Sequence, residues 1–324
     1  MMILSKERLV KEQKATGYRQ EMIEKVVWLI SILNSIAEDS FLKTKFVLKG
    51  GTALNLFHFD LPRLSVDADL NYIGGIEREI MLRERPEVEL RVRQLMQGLG
   101  LTLSRNPQVH AGGKMTWRYP SALGMQGNVE IDLNFMYRVP LLPIEKRNSV
   151  ILANQEVSKM PLLDFHELAA GKLTALIDRG AGRDIFDAYH LFQYQNLEIE
   201  KLRLCFVVYA AMSNKRDFLK IVPNQIDIDR EDLKNKLIPV LKQNINQEFS
   251  SMAAWTDHLL EKVRIEYKKL LPFNENEKLF INNIREKKSI EPKLLIDNQE
   301  IISRIKSHPA LLWAVKRNSV FDIS

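Results

Sequence analysis

The sequence predicts an α+β fold, with a mixed β-sheet flanked by helices in the N-terminal half and an all-helical C-terminal half. Segments that alternate between apolar and polar residues with period two occur before about residue 160, separated by helical segments. A glycine turn joins one of these strands to a helix. Beyond Pro161 the strand signal largely disappears, and apolar residues recur at helical spacing nearly to Val320. We therefore predict two domains, residues 1–160 and residues 161–324.

The elements of the first domain follow from this patterning. In chain order we expect helices up to residue 45, a strand at 46–48, a glycine turn at 50–52, a helix from residue 53, a strand at 65–72, a helix at 77–98 broken near Pro86, and strands at 101–104, 114–119 and 128–136. The break is expected because proline removes a backbone donor and crowds the preceding turn.

Composition excludes several classes of protein. No segment approaches the roughly 18 consecutive apolar residues of a membrane-spanning helix. The single cysteine, Cys205, excludes an intrachain disulfide scaffold. A net charge of +6 tolerates a polyanionic partner without requiring one. We expect a cytoplasmic protein with no membrane partner, because the N-terminus also lacks an apolar segment of the signal-peptide type.

Two aspartates on one strand form the strongest candidate site. Asp67 and Asp69 are two residues apart, so both point to one face of a strand, with Cβ atoms roughly 6–7 Å apart. Carboxylate oxygens in such a pair suit Mg²⁺. A D-x-D pattern on its own is also typical of a solvated strand face. Here the apolar residues on the other face predict a rigid, half-buried support for the pair.

Gly50, Gly51 and Thr52 lie where a strand meets a helix. Backbone N–H groups at such a junction bind phosphate oxygens, although a simple tight turn has the same composition. Asp132 lies in a later alternating strand among Val, Ile, Leu and Phe residues. An unpaired carboxylate there costs free energy, which binding to a metal ion would offset.

The second domain opens with a pattern typical of a capped helix. Asp164 is the expected N-cap, Glu167 completes a capping box, and glycines near residue 180 end the helix. Lys172 lies within this helix and, taken singly, is typical of a solvated surface lysine. Asp184, at the start of the next helix, reads on its own as a carboxylate favoured by the helix dipole, and the same holds for Asp187.

Four segments in this order resemble the nucleotidyl transferase AbiEii/AbiGii toxin family, a group of polymerase-β-like nucleotidyltransferases found in toxin–antitoxin and phage abortive-infection systems. The resemblance covers roughly residues 45 to 195. The matching segments are Lys49-Gly50-Gly51-Thr52-Ala53-Leu54, Arg63-Leu64-Ser65-Val66-Asp67-Ala68-Asp69-Leu70, Val129-Glu130-Ile131-Asp132, and Lys172 followed by Arg183-Asp184-Ile185-Phe186-Asp187.

The resemblance implies a role for each matched position. It implies a polymerase-β-like nucleotidyltransferase domain in which Asp67, Asp69, Lys172 and Asp184 are catalytic and Asp67, Asp69 and Asp132 bind metal. The implied nucleotide-binding residues are Lys49, Gly50, Gly51, Thr52, Arg63, Ser65 and Lys172. Because Lys172 and Asp184 come from the helical domain, the resemblance implies an interdomain site. The implied cofactor is a pair of Mg²⁺ ions, for which Mn²⁺ could substitute.

The implied activity is transfer of a nucleotide from a nucleoside triphosphate to RNA, with a tRNA 3′ end as the expected acceptor and a cognate antitoxin as a further partner. Transfer to a protein hydroxyl uses the same chemistry and is an alternative. Two further alternatives are a nucleotide-binding regulatory module without catalysis and a purely structural protein. Asp184 could orient Lys172 or help to deprotonate the acceptor, and the sequence leaves that choice open.

Overall fold

The structure is a computed structural model that describes residues 4–106, 112–243, 245 and 249–317. The chain forms two compact units. Unit 1 comprises Met1–Arg138, Pro143–Leu163 and Pro239–Ile245, and unit 2 comprises Val139–Leu142, Asp164–Ile238 and Asn246–Ser324. In the part of the chain that the structure describes, no helix is long and apolar enough to cross a membrane.

Unit 1 contains a seven-stranded mixed sheet. Its strands are β1 (Phe46–Lys49), β2 (Asp67–Tyr72), β3 (Thr102–Arg105), β4 (Gly112–Pro120), β5 (Gln126–Asn134), β6 (Glu145–Arg147) and β7 (Met160–Leu162). They are hydrogen-bonded in the order β3-β4-β5-β2-β1-β7-β6. The pairs β2–β5 and β1–β7 are parallel and the other pairs are antiparallel. The predicted mixed sheet is therefore confirmed.

In the described part of unit 1, four α-helices accompany the sheet: α1 (Lys6–Thr16), α2 (Gln20–Glu38), α3 (Gly50–Phe57) and α4 (Arg78–Gly98). Most of the apolar side chains of α2 are buried, and Trp28 stacks on Tyr119 of β4 with ring centroids 5.1 Å apart. These contacts follow from the amphipathic period of the sequence. The helix covers the apolar face of the sheet.

The break expected near Pro86 is absent, and α4 runs through the proline. Met81, Val88, Val92 and Met96 lie on both sides of Pro86 and are all buried. An internal proline costs about 3 kcal/mol, whereas each buried apolar side chain contributes roughly 1.5–3 kcal/mol. Packing of this apolar stripe therefore outweighs the lost hydrogen bond.

Strands β6 and β7 did not appear in the sequence prediction. Each has three residues, which is too short to display an alternation. Strand β7 pairs with β1 through Leu48 and Leu162, and the amide of Leu163 donates to the Leu48 carbonyl. This pairing depends on residues more than 100 positions apart, which local patterning does not reveal.

In the described part of unit 2 the regular elements are helices, as predicted. They are α5 (Phe165–Arg179), α6 (Gly182–Phe192), α7 (Ile199–Met212), α8 (Arg230–Asp232, continued by a π-helix at Leu233–Leu237), α9 (Met252–Tyr267), α10 (Glu275–Asn282, continued by a π-helix at Asn283–Lys287), α11 (Gln299–Ser307) and α12 (Pro309–Lys316). The predicted helical run reaches Val320, and residues 318–324 lie outside the described residues.

Candidate active site

Two parallel strands at the centre of the sheet carry four carboxylates on one face. Strand β2 pairs with β5 in a register that sets Asp67 opposite Glu130 and Asp69 opposite Asp132. Residues on the other face of both strands, such as Ala68 and Ile131, are fully buried. Because partners in register point to the same side of a sheet, all four carboxylates lie side by side. The structure thus brings together the three predicted metal-binding aspartates.

A lysine borders this group on each side. Lys49 of β1 is in register with Asp69, and Lys114 of β4 is in register with Asp132. The Lys114 Nζ lies 2.8 Å from Glu130 Oε2 and 3.8 Å from Asp67 Oδ2. We call Asp67, Asp69, Glu130 and Asp132 the carboxylate face. With the two lysines it carries a net formal charge of −2 when every group is ionised.

The charges on this face alter the proton affinities of its members. Burial, and then the neighbouring charge of Asp69, raises the pKa of Asp132. Burial alone would lower the pKa of Lys114, but the hydrogen bond to Glu130 and the charges of Asp67, Glu130 and Asp69 raise it. The face therefore holds excess negative charge that favours cations.

The oxygen atoms of the carboxylate face also fit a divalent cation, since carboxylate oxygens are ligands that Mg²⁺ and Mn²⁺ accept. In residues 4–106, 112–243, 245 and 249–317, however, no group of three or more His, Cys, Asp or Glu side chains converges tightly enough to hold a metal ion. The role of Asp132 as a third ligand accordingly stays a prediction.

The glycine turn passes directly beside the carboxylate face. Gly50 begins α3 with a φ of +76°, a conformation that side chains rarely adopt, and a Cβ atom there would overlap the Asp69 carboxylate. A Cβ at Gly51 would lie 2.5 Å from Nη2 of Arg63. Gly50 therefore requires glycine, Gly51 leaves room for the buried Arg63 side chain, and the start of α3 adjoins Asp69.

Buried side chains support the turn from beneath. The Thr52 hydroxyl lies 3.0 Å from the Ser65 hydroxyl and donates to the backbone carbonyl of Asp67. Arg63 is 1% exposed and donates to the carbonyl of Leu64 at 2.8 Å. Thr52, Ser65 and Arg63 thus fix the glycine turn and the start of β2. The phosphate contact expected for Arg63 and Ser65 stays a prediction.

Unit 2 contains the second group of predicted residues. Lys172 of α5 places its Nζ 3.0 Å from Asp184 Oδ1 and 3.0 Å from Asp187 Oδ2, both on α6. Arg179 donates to both oxygens of Asp184, at 2.6 Å and 2.9 Å. Both aspartate side chains are fully buried and that of Lys172 is 10% exposed. The reading of Lys172 as a solvated surface lysine is therefore wrong.

The electrostatics of this group keep Asp184 ionised. Burial would raise the pKa of Asp184, but the charge of Lys172 and the hydrogen bonds from Arg179 hold that pKa below its ordinary value. The turn between the helices brings the partners together, because Gly180 caps α5 in the left-handed conformation. Arg179 is a member of this site that sequence reasoning did not identify.

The capping-box prediction for α5 is half right. Asp164 accepts a hydrogen bond from the His166 amide, as an N-cap does. Glu167 does not reach back to the cap; it accepts bonds from the amides of Leu141 and Leu142 and from the Tyr209 hydroxyl. Burial raises the pKa of Glu167 to about 7. Its carboxyl group holds the 141–142 segment.

The sequence also did not predict Lys114 and Glu130 as members of the site. Glu130 shares a face with Asp132 by simple alternation, but its pairing with Asp67 depends on the β2–β5 register. Lys114 enters through the β4–β5 register. A lysine opposite an expected metal-binding aspartate is detectable only once the strand order is known.

The family model of the nucleotidyl transferase AbiEii toxin of type IV toxin–antitoxin systems matches residues 31–265. No curated protein matches the chain significantly. Among solved structures, MenT4, a nucleotidyltransferase toxin from Mycobacterium tuberculosis H37Rv, is similar with a TM-score of 0.64. The two chains share 16% identity, and the match covers 95% of this chain and 99% of that one.

The structural likeness shows a common fold, and the family match extends over most of the chain, including both groups of candidate residues. Enzymes of this kind generally use divalent metal ions, and the family implies a nucleoside triphosphate substrate and a cognate antitoxin. The chain therefore belongs to the AbiEii nucleotidyl transferase toxin family and is a nucleotidyltransferase toxin of a type IV toxin–antitoxin system.

Proposed function

We propose that the protein transfers a nucleoside monophosphate from a nucleoside triphosphate to an RNA hydroxyl, at the 3′ end of a tRNA, with Mg²⁺ as cofactor and pyrophosphate as leaving group. The observation that carries the proposal is the parallel register of β2 and β5 beside the glycine turn. It sets Asp67, Asp69 and Asp132 on one rigid face next to backbone N–H donors.

Nucleotidyl transfer needs little covalent chemistry from the protein. The acceptor hydroxyl attacks the α-phosphate in line with the departing pyrophosphate, and negative charge accumulates on the phosphoryl oxygens. Asp67 and Asp69 would hold divalent cations, with Asp132 as a third ligand. Cations held there would supply the positive charge that lowers the pKa of the attacking hydroxyl and offsets the charge of the triphosphate. The strands support these aspartates on a buried apolar layer, which keeps them in place.

The glycine turn binds the triphosphate in this proposal. The amides of Gly51 and Thr52 lie at the N-terminus of α3, where unpaired donors and the helix dipole favour phosphate. Lys49 precedes them and is in register with Asp69, so its ammonium adds positive charge on the same side. Arg63 and Ser65, buried against the turn, hold it in shape.

Lys172 is assigned to neutralise triphosphate charge, and its two aspartates are positioning residues. The sequence left open whether Asp184 is a base. Both Asp184 oxygens accept hydrogen bonds from cationic groups, and its pKa is lowered. A carboxylate in this state is a poor proton acceptor, which supports orientation of Lys172 rather than deprotonation of the acceptor.

RNA as the acceptor class is what the family resemblance implies, and the net charge of +6 is compatible with a polyanionic acceptor. The experiment is incubation with each α-labelled nucleoside triphosphate, Mg²⁺ and total tRNA. We expect one or more nucleotides to label tRNA, and periodate oxidation of the tRNA 3′ end to abolish labelling.

Asp67→Asn and Asp69→Asn should each lower the label at least 100-fold, because the metal-binding charge is lost while the shape is kept. Asp257→Asn, which alters an exposed aspartate in the helical unit, is the matched control and should retain activity. Absence of label with all four nucleotides would contradict the proposal. Label in protein from a cell lysate instead of RNA would identify a protein hydroxyl as the acceptor.

A further inference from the structure

Lys114 has no part in the proposed reaction, yet it lies against the carboxylate face. Its position on β4 places it across from Asp132, one strand away from the β2 aspartates. Its Nζ is within 4 Å of both Glu130 and Asp67. The side chain is 45% exposed, so packing leaves its ammonium group free to change position.

The register gives one continuous row across four strands: Lys49, Asp69, Asp132 and Lys114. The two lysines therefore differ in their surroundings. Lys49 ends β1 and adjoins the glycine turn, which is assigned to the triphosphate. Lys114 lies at the opposite end of this row, on β4, and its ammonium group is hydrogen-bonded to Glu130 at 2.8 Å.

We infer that Lys114 is a tethered counter-ion that competes with the divalent cation for Asp67 and thereby sets the metal affinity of the nucleotide-free enzyme. The inference rests on the proposed function, because it takes Asp67 and Asp69 as the metal-binding pair. Glu130 already holds the ammonium group by a hydrogen bond of 2.8 Å, whereas the Asp67 oxygen is 3.8 Å away, within ion-pair distance only. A small displacement toward Glu130 therefore releases Asp67 without leaving Lys114 unpaired.

The size of the effect follows from Coulomb's law. A unit positive charge about 5 Å from a divalent cation in nearly aqueous surroundings weakens cation binding roughly tenfold. Salt screens part of the interaction, so the effect is largest at low ionic strength. Removal of the Lys114 charge should therefore tighten metal binding to the nucleotide-free protein.

The experiment measures Mn²⁺ binding to the nucleotide-free full chain by electron paramagnetic resonance of the free ion, at low salt. Lys114→Met should lower the Mn²⁺ dissociation constant roughly tenfold, and Lys114→Arg, which keeps the charge, should stay near the wild type. Lys146→Met is the matched control, since Lys146 is an exposed lysine of β6 in the same sheet. It changes net charge equally and should leave Mn²⁺ binding unaltered.

Two further variants separate this inference from the proposed function. If wild-type binding of Mn²⁺ is lost in Asp67→Asn but Lys114→Met binds no more tightly, the counter-ion role is wrong and the metal assignment stands. If Asp67→Asn binds Mn²⁺ like the wild type, the metal assignment fails and the inference fails with it. Lys114→Gln serves as a second neutral variant, and thermal unfolding without metal establishes that each variant is folded.

Discussion

Replacement of Asp184 by alanine tests the buried charge group of the helical unit most directly. The Asp184 side chain is fully buried, and it accepts hydrogen bonds from Lys172 at 3.0 Å and from Arg179 at 2.6 Å and 2.9 Å. Without it, the largely buried Lys172 retains Asp187 at 3.0 Å but loses half of its negative partner charge. Removal of one member of a buried ion pair costs about 3–5 kcal/mol.

The assay is urea-induced unfolding followed by circular dichroism, with thermal unfolding in parallel. At about 2 °C per kcal/mol, the Asp184→Ala variant should melt roughly 6–10 °C below the wild type. The control is Asp257→Ala. Asp257 pairs with Arg230 at 2.6 Å, but both side chains are more than half exposed, so this change should cost no more than about 1 kcal/mol.

The pH dependence of the difference has a defined sign. The folded-state pKa of Asp184 is lowered, so its contribution to stability is present near neutral pH and is lost as pH falls through that pKa. The difference in the free energy of unfolding between the wild type and Asp184→Ala should therefore become smaller at acid pH. A variant within about 1 kcal/mol of the wild type at neutral pH would refute the reasoning. Asp184→Asn should lower nucleotide transfer at every pH; recovery of activity at high pH would instead indicate a base.

Three other changes have defined outcomes. Gly50→Ala should abolish transfer and cost about 1–3 kcal/mol, because the residue has a positive φ and its Cβ would overlap the Asp69 carboxylate; thermal unfolding and the labelling assay check this. Glu167→Gln removes a carboxyl group whose pKa in the folded protein is about 7. The wild type should lose about 3 kcal/mol of stability relative to this variant as pH rises from about 4.5 to about 7, because ionisation of the buried carboxyl group then opposes folding. A stability difference that stays constant over this pH range would refute the assignment. Asp132→Asn should raise thermal stability without metal, because it removes a buried charge and, second, its repulsion from Asp69, and it should reduce the stabilisation that Mn²⁺ provides.

Local pattern was sufficient for the elements that carry the aspartates. Alternation over residues 65–72 and 128–136 predicted both strands and the faces on which Asp67, Asp69 and Asp132 lie, and β2 and β5 confirm those faces. Local sequence pattern did not predict that these two strands pair in parallel, because β3 and β4 lie between them in sequence. Strand order is decided by packing and by long-range hydrogen bonds, which a local period does not encode.

The same limit explains the residues that were misread. Lys172 and Glu167 have sequence neighbours typical of an exposed lysine and a capping box, and both are buried by segments distant in sequence or across a turn. Family resemblance identified Lys172 where local chemistry favoured the solvated reading. The partner Arg179 and the edge lysine Lys114 carried no local signal, because their importance arises from the groups opposite them.

The segment Pro239–Ile245 returns to unit 1 after 75 residues of unit 2. There the Leu64 amide donates to the Val240 carbonyl at 2.8 Å, and the Lys242 ammonium lies 5.8 Å from the ring centroid of Tyr18. A fragment that ends after Leu163 would expose the backbone next to Arg63, directly before the strand that carries the aspartates. A half-gene that encodes only the first 163 residues should therefore yield an incomplete nucleotidyltransferase fold, and a split version of this toxin would need its cut beyond residue 245.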